Sequence, residues 1–294
     1  MSEPEIMNER GRLINLGYRL LGSLADAEDV VQETYARWYA LSEPQRDAIE
    51  SPGAWLMKVA GRICLDQLRS ARARRERYVG EWIPEPLPEW TGDDPADPAD
   101  RVTLDESVNM AFLVVLDAMT SAERVAFILH DVYRYPFAEV AEIVGRTPAA
   151  CRQLATSARR RIRESNREPG APAVPVARRA AVVRDFKRAW QAQDIGALIA
   201  LLDPDVKSVA DGGGLATAVL EPIEGAEQVA VHLARIAALQ PAGVTMLERT
   251  VSGQPGLVIR QDGVVVTVIA LDVADDRITR IWAVRNPEKL RAWE

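Results

Sequence analysis

Apolar residues recur at helical spacing in two separate stretches of the first 165 positions. The stretch 5–80 predicts helices, one of which turns Val31 and Trp38 toward a common core. The stretch 109–165 returns to the same spacing. Between them, residues 81–108 hold five prolines among acidic side chains, a composition that forbids a continuous helix and predicts an acidic linker.

The hydrophobic pattern changes class after a second break, rich in proline and glycine, at residues 166–176. One amphipathic helix is predicted at 177–193. Three β-rich runs follow at 257–260, 264–273 and 278–285, and the short turns between them are typical of an antiparallel meander. The predicted fold class is therefore multidomain, with two all-α modules (5–80 and 109–165) and a separate α+β domain (177–294).

The second helical module has the turn signals of a helix-turn-helix. Thr120 and Glu123 have capping-box spacing and start one helix. Pro136 suits the first position of the next helix, and Gly145 can close that helix in a left-handed cap. Another helix starts at Pro148 after only a short turn. Two short helices joined by a glycine turn are the signature of this DNA-binding motif.

The last helix of this module is amphipathic in a way that suits DNA. One apolar stripe consists of Cys151, Leu154, Ala155, Ala158 and Ile162, and basic and polar side chains fall on the opposite side. Guanidinium groups placed there can reach phosphates and guanine edges in the major groove. A solvated basic face on a structural helix is the alternative, and the helix-turn-helix framing favours DNA. The candidate residues are Arg152, Gln153, Thr156, Arg159, Arg160 and Arg163.

The first module carries two faces of opposite charge. Acidic residues cluster on the helix around Asp26, where they could also simply complement the helix dipole. The stretch 51–78 is basic and contains Trp55 and Tyr78, a combination that suits separated DNA strands because stacking and charge cooperate there. Asp66 in this stretch is expected to be an ion-pair partner.

Composition limits the chemistry further. The net charge is −7, but it is unevenly distributed, so local basic surfaces can still bind nucleic acid. Two isolated cysteines, Cys64 and Cys151, and two histidines, His130 and His232, predict neither a disulfide framework nor a metal site, and no cofactor is expected. The N-terminus lacks a signal-peptide pattern and no apolar run reaches bilayer length, which predicts a cytoplasmic protein without membrane contact.

Together the helical modules resemble regions two and four of extracytoplasmic-function (ECF) sigma factors, over roughly residues 8–165. The resemblance is carried by three segments in the same order and spacing as in the family. They are DAEDVVQE (26–33), AWLMKVAGRICLDQLRSARARRE (54–76) and SAERVAFILHDVYRYPFAEVAEIVGRTPAACRQLATSARRRI (121–162). Many such factors carry asparagine where this chain has Arg62 or Cys64.

The resemblance implies an RNA polymerase sigma factor that brings the core enzyme to promoter DNA. The first acidic helix would bind the clamp of the polymerase β′ subunit, and the second module would meet the β flap. The 55–77 helix would read and melt the −10 element, and the 147–163 helix would read the −35 element. The implied polymerase-binding residues are Asp26, Glu28, Asp29, Gln32 and Glu33, and those for the −10 element are Lys58, Arg62, Arg69, Arg72, Arg74 and Arg75.

The C-terminal domain resembles a SnoaL-like (NTF2-like) fold, a cone of curved sheet and helices. Sigma factors with this fusion share a WLPEP linker motif and C-terminal DGGGK and NPDKL motifs, which here read WIPEP (82–86), DGGGL (211–215) and NPEKL (286–290). The subgroup implies regulation within the chain in place of a separate anti-sigma protein. The regulatory candidates are Trp82, Ile83, Pro84, Asp211, Gly212, Gly213, Gly214, Asn286, Pro287, Lys289 and Leu290.

One alternative is that the third domain binds a small molecule or acts on one, because SnoaL-like cones also host isomerases and cyclases. Such chemistry needs a carboxylate or histidine base. Asp211 precedes three glycines and is expected to cap a tight loop, and His232 lies in a helical stretch. No catalytic residue is therefore predicted and the protein is not expected to be an enzyme, while a small-molecule ligand of the domain stays open.

Two further hypotheses concern partners. The linker and the third domain are expected to cover or orient the first module and so restrain promoter access. Trp282 and Trp293 are either core residues or part of a docking surface. A helix-turn-helix regulator that never binds polymerase is the remaining alternative, and it leaves the first module without a role.

Overall fold

The structure is a computed structural model that describes residues 9–75, 78–89, 109–165 and 174–294; for 71–75 it describes the backbone alone. The described residues form two compact units. Both predicted helical modules belong to the first unit, which holds residues 9–75 and 112–165. The second unit holds residues 174–294 together with 78–89 and 109–111.

The first module is a helical bundle, as predicted. Its α1 helix ends at Gly22, whose φ of 73° is the left-handed conformation that closes a helix, and the Ser23 side chain then caps α2. The two helices cross closely because Gly17 has no side chain, since a β-carbon there would lie 2.9 Å from Ala27. The helices are Arg10–Leu21 (α1), Leu24–Tyr39 (α2), Glu43–Asp47 (α3) and Pro52–Arg75 (α4).

The second module contains the predicted helix-turn-helix. Thr120 and Glu123 form the capping box, and Gly145 takes the left-handed cap with φ 72°. The helix after Pro136 begins one residue later than predicted, because the proline backbone is extended and precedes the helix. The elements are Met110–Asp117 (α5), Ser121–Phe127 (α6), a π-helix at Ile128–Val132, Phe137–Val144 (α7) and Pro148–Ser165 (α8).

The two modules pack directly on each other within the first unit. Arg124 of α6 is buried and donates hydrogen bonds to the carbonyl oxygen of Leu20 and to the carboxylate of Asp117, each at 2.8 Å. A β-carbon at Gly61 of α4 would lie 3.2 Å from the Ile143 side chain of α7. The sequence predicts two separate modules and contains no local signal of this contact, because it joins residues far apart in the chain.

The second unit is α+β, as predicted. Its helices pack on one face of a six-stranded sheet with the order β2-β1-β6-β5-β4-β3 and bury Phe186, Trp190 and Ile269 in the core between them. The helices are Val176–Gln191 (α9), Ile195–Leu201 (α10) and Ala226–Ala238 (α11). The strands are Leu202–Asp211 (β1), Ile223–Glu224 (β2), Val244–Val251 (β3), Gln254–Gln261 (β4), Val264–Ala274 (β5) and Arg277–Val284 (β6).

Strands β4, β5 and β6 form the predicted antiparallel meander. Three strands, β1, β2 and β3, lie outside the runs predicted from the sequence. Strand β1 contains Pro204 and several charged residues and pairs in parallel with β6. Strand β3 lies at the edge of the sheet, is only eight residues long and has no regular alternation of apolar and polar residues. Strand β1 is recognisable only by its long-range pairing with β6, and β2 spans only two residues, whereas β3 pairs with its neighbour in the chain, β4.

Residues 78–89, here called the strap, lie on the second unit. The amide of Ile83 donates to Asp211 at the end of β1, and the amide of Leu87 donates to Ser252 beyond the end of β3. Because β6, β5 and β4 separate these two strands in the sheet, the strap runs from one side of the sheet to the other. Ile83 and Leu87 are fully buried. The sequence assigned this segment to the first module and the linker; residues 90–108 of the predicted linker lie outside the described residues.

Candidate functional site

The basic face of α8 borders an open groove of about 580 Å³. Of the predicted apolar stripe, Cys151, Ala155 and Ala158 are buried on the opposite face, so the cationic side of the helix faces outward. The other two stripe residues, Leu154 and Ile162, are only partly buried. A groove lined by guanidinium, amide and hydroxyl groups can accept phosphates or base edges. The lining residues are Ala149, Arg152, Gln153, Thr156, Ser157, Arg160 and Arg163.

Arg159 does not line this groove. Its guanidinium makes two hydrogen bonds, of 2.7 and 3.1 Å, to the carboxylate of Asp131 in the π-helix. A second anchor lies two residues earlier in α8, where the hydroxyl of Ser157 donates to Glu123 at 2.7 Å. Burial by itself raises the pKa of Glu123, but hydrogen bonds from Ser157 and Thr120 hold that pKa below its ordinary value. These bonds fix the orientation of α8 on the rest of the module.

Arg152 is braced at the start of α8. Its guanidinium carbon lies 5.3 Å from the centre of the Phe137 ring, a cation–π contact. The ring of His130 stacks on Phe137 at 3.8 Å, and its Nδ1 lies 2.9 Å from the carbonyl oxygen of Tyr135. The sequence carries no local signal of this aromatic support, because the stacked residues lie on different helices.

The α2 helix presents a polar, mostly acidic face. The buried side chains of Val31 and Trp38 fix the opposite face inward. Glu33 pairs with Arg37 within the helix at 2.8 Å. Among the predicted polymerase-binding residues, Glu28, Asp29, Gln32 and Glu33 are exposed and Asp26 is partly exposed.

The cations of α4 already contact acidic or carbonyl groups. The ammonium of Lys58 contacts the carboxylate of Glu142 on α7, and Arg62 donates to the carbonyl oxygen of the same residue at 3.1 Å. Arg69 pairs with Asp66 at 3.3 Å, which is the ion pair expected of Asp66. The side chains of Arg72, Arg74 and Arg75 lie outside the described residues, so their role stays a prediction.

The three motif segments of the C-terminal domain meet at Asp211. Its buried carboxylate accepts hydrogen bonds from the hydroxyl of Tyr78 at 2.6 Å, the amide of Ile83 at 2.9 Å and the ammonium of Lys289 at 2.6 Å. The sequence predicted that Asp211 would cap its own glycine loop. Its carboxylate instead anchors the strap to the sheet.

Lys289 lies in a box made largely by the strap. Its ammonium donates to the carbonyl oxygen of Ile83 at 2.5 Å and lies 4.1 Å from the centre of the Trp82 ring and 5.1 Å from that of Tyr78. Desolvating a charge costs several kcal/mol unless the group is paired and hydrogen-bonded. The strap therefore helps to satisfy the buried pair of Lys289 and Asp211, and that pair in turn holds the strap.

Tyr78 joins the strap to the last motif. Its hydroxyl donates to Asp211 and accepts a hydrogen bond from the side-chain amide of Asn286 at 2.9 Å. Burial raises the pKa of Tyr78 well above its ordinary value, and the hydrogen bond to Asp211 acts in the same direction. The sequence placed Tyr78 beside the basic helix as a stacking residue for DNA, whereas its ring and hydroxyl are used within the second unit.

The glycine loop leaves room for these contacts. Gly213 has φ 60°, and a β-carbon there would lie 2.3 Å from the side-chain nitrogen of Asn286. A β-carbon at Gly212 would lie 2.1 Å from the carbonyl oxygen of Ala216. Leu215, which stands where the subgroup motif has lysine, is 62% exposed. The glycines are thus needed for close packing around the anchor.

The far end of the strap is fixed by main-chain contacts. The amide of Leu87 donates to the hydroxyl of Ser252 at 3.1 Å, and the amide of Ser252 donates back to the Leu87 carbonyl at 2.7 Å. The indole nitrogen of Trp293 donates to the Pro86 carbonyl at 2.8 Å. Trp282 is buried in the sheet. Trp282 is therefore a core residue, and Trp293 holds the strap; the sequence carries no clear signal for the Ser252 contact.

We also searched the described residues for a metal site, a titratable histidine and a membrane-spanning helix. There, no group of three or more His, Cys, Asp or Glu residues is placed to bind a metal ion. His232 lies half-buried on α11, and burial together with Arg235 lowers its pKa. None of the described helices combines the length and the apolarity needed to span a bilayer.

Comparison with known families matches both helical modules. Residues 6–74 match Sigma-70 region 2, and residues 109–162 match Sigma-70 region 4. These two matches cover the described helices α1–α4 and nearly all of α5–α8.

Similarity to individual proteins extends over nearly the whole chain. The chain is 35% identical to the ECF RNA polymerase sigma factor SigJ of Mycobacterium tuberculosis, over 98% of this chain and 93% of that protein. It is also 35% identical to the probable ECF sigma factor SigI of the same organism, over 96% and 92% of the two chains. The crystal structure of M. tuberculosis SigJ matches with a TM-score of 0.78 at 32% identity and covers 99% of both chains.

Proposed function

This chain belongs to the family of ECF RNA polymerase sigma factors, and we propose that its C-terminal domain regulates it by holding the segment that joins the two promoter-reading modules. A sigma factor binds core RNA polymerase and directs it to promoter DNA, where transcription starts. A sigma factor is a transcription factor and catalyses no reaction itself. The two helical modules carry this activity, and the α+β unit is an addition to it.

For the −35 element, we assign base and phosphate contacts to the groove of α8. Arg152, Gln153 and Thr156 lie toward the N-terminal half of the helix, the part that reaches base edges when a recognition helix enters the major groove. Arg160 and Arg163 follow on the same face and suit phosphates. Arg159 positions the helix through Asp131 instead of contacting DNA.

For polymerase and the −10 element, the proposal rests on exposed charge. The acidic face of α2 suits the β′ clamp, since Glu28, Asp29 and Gln32 point to solvent. The cations of α4 suit the opened strand. Contact of the second module with the β flap is part of the same proposal and follows from the family resemblance.

The observation that carries the regulatory proposal is the docked strap. Tyr78 follows the last described residue of α4, Arg75, by only three positions, so the C-terminal domain holds the chain immediately after the helix assigned to the −10 element. Twelve residues of the connection between the modules are bound to the sheet while the strap is docked. While the strap is docked, the free part of the connection between the two helical modules is therefore shorter. A shorter connection limits how far the modules can separate on a promoter.

Strap-release variants of the full-length protein test this proposal. Ile83→Ala removes a fully buried strap side chain, and Leu215→Ala is the matched control because Leu215 is exposed. We expect run-off transcription with core polymerase to increase with Ile83→Ala and to stay unchanged with Leu215→Ala. Equal transcription and equal promoter choice by wild type and Ile83→Ala would reject the regulatory role of the strap.

Two further measurements separate the other readings. A pull-down with core polymerase distinguishes a sigma factor from a helix-turn-helix regulator that acts alone. A small-molecule ligand of the C-terminal domain stays a prediction. A ligand that acts through the strap would change the protease sensitivity of residues 78–89, which a screen by limited proteolysis detects.

A further inference from the structure

The −10 helix and the helix-turn-helix are joined by a polar contact inside the first unit. The carboxylate of Glu142, on α7, contacts the ammonium of Lys58 on α4. The carbonyl oxygen of Glu142 accepts a hydrogen bond from the guanidinium of Arg62 at 3.1 Å. One residue of the second module thus engages two cations assigned to the −10 element. We call this contact the latch.

Tight packing beside the latch supports it. Gly61 lies between Lys58 and Arg62 on α4, and a β-carbon there would lie 3.2 Å from Ile143 and 3.7 Å from Leu129. Ile143, the neighbour of Glu142, is buried. The two helices therefore approach each other at Gly61, and this approach brings the backbone of Glu142 within reach of Arg62.

The chemistry of the latch resembles that of a phosphate contact. The carboxylate of Glu142 accepts a hydrogen bond from an ammonium, and its carbonyl oxygen accepts one from a guanidinium. The phosphate oxygens of a DNA backbone accept hydrogen bonds from the same two kinds of cation. Contact with Lys58 and Arg62 also holds the pKa of the Glu142 carboxyl below its ordinary value. Glu142 is therefore ionised at neutral pH and occupies the cations that the opened strand would need.

With the latch closed, the two DNA-reading helices are closer together than the −10 and −35 elements of a promoter. Elements centred near −10 and −35 lie about 25 base pairs apart, which is roughly 85 Å of duplex at 3.4 Å per base pair. In the first unit, α4 and α7 are in direct contact, and α7 packs beside the recognition helix α8. The two promoter elements cannot both be read until these helices separate.

We propose that the latch of Glu142 with Lys58 and Arg62 holds the free sigma factor closed, and that it opens before the −10 strand is bound. This goes beyond regulation by the strap, because every group of the latch lies in the first unit. Lys58 and Glu142 are both partly exposed, so salt screens their attraction. Opening is therefore within reach of a competing polyanion such as DNA.

Distance measurement on the full-length protein tests the latch. Spin labels on Asp47→Cys and Ala138→Cys, both exposed, report on α3 and α7, while the native Cys64 and Cys151 are buried and are not expected to be labelled. Glu142→Gln removes the charge of the latch. Glu139→Gln removes an equal charge from an exposed residue of the same helix and is the matched control.

We expect one short distance in wild type at low salt and a second, longer one in Glu142→Gln. The open-to-closed ratio should rise roughly two- to fivefold, as for loss of an exposed ion pair of ordinary strength. Affinity for a single-stranded −10 oligonucleotide should rise by a similar factor. High salt should open wild type and have less effect on Glu142→Gln.

Three outcomes overturn the proposal. These are unchanged distances in Glu142→Gln, equal opening in Glu139→Gln, and opening without tighter binding of the single strand. A thermal melt followed by circular dichroism checks that both variants remain folded, and Glu142→Ala provides a second test of the same position. Since neither polymerase nor a strap variant is used, failure here leaves the regulatory role of the strap untouched.

Discussion

The ammonium of Lys289 lies 2.6 Å from the carboxylate of Asp211, and the two side chains are only 9% and 0% exposed. They come from the last and the second of the three C-terminal motif segments, and the first segment, in the strap, surrounds them. This pair is the point at which a change of one charge should have the largest effect on the second unit.

Lys289→Met should destabilise the second unit by about 3–5 kcal/mol, because it leaves the buried carboxylate of Asp211 without a cation. Urea unfolding followed by circular dichroism measures the change. Lys207→Met is the control: Lys207 pairs with Glu224 on the surface of the same sheet, where the loss should stay within about 1 kcal/mol. Equal effects of the two substitutions would contradict the importance of the buried pair.

Leu87→Ala should release the far end of the strap. Leu87 is fully buried, and truncation of such a side chain costs about 2–5 kcal/mol. Limited proteolysis with mass spectrometry should show cleavage within residues 78–89 in the variant and protection in wild type. Leu239→Ala, which truncates an exposed leucine of the same unit, should leave protection unchanged. Protection of the strap in Leu87→Ala would mean that the Asp211 end holds it alone.

Strap docking should weaken at alkaline pH. Tyr78 must stay protonated to donate to Asp211, and burial raises its pKa above the value of an unfolded tyrosine, about 10. Its contribution to stability is therefore complete below about pH 10 and declines as the pH rises above that value.

Comparison with Tyr78→Phe isolates this effect. Other tyrosines with raised pKa, Tyr35, Tyr133 and Tyr135, lie in the first unit and titrate equally in both proteins. The stability of wild type, measured by urea unfolding, should exceed that of Tyr78→Phe at pH 8 and approach it as the pH rises past 10. A difference that does not depend on pH would show that the hydroxyl donates nothing to Asp211.

Substitutions in the recognition helix α8 should distinguish arginines that contact DNA from arginines that stabilise the fold. Arg160→Ala should weaken promoter binding and lower the slope of log affinity against log salt by about 1, because one phosphate contact is lost. Arg159→Ala should leave that slope unchanged and lower stability, since Arg159 binds Asp131. A double-mutant cycle of Arg159→Ala with Asp131→Ala should give a coupling of about 1 kcal/mol. A fall in the salt slope with Arg159→Ala would place that residue on DNA after all.

The sequence by itself determined the elements whose signals are local. The capping box at Thr120, the left-handed cap at Gly145 and the apolar stripe of α8 depend on residues within a few positions of one another, and all three are present in the structure. The meander of β4, β5 and β6 follows from alternation and short turns. The family resemblance added the three motifs and the order of the modules, and the comparisons support that order.

Only the tertiary structure decided which polar groups satisfy one another. The strap at Tyr78 and Ile83 is separated from Asp211 by well over a hundred residues, and Arg62 lies 80 residues from Glu142. A buried carboxylate can be paired by any suitably placed cation, and neither composition nor spacing says which one arrives. That choice is made by packing, because the folded chain brings a particular donor within hydrogen-bond reach and excludes water from the rest.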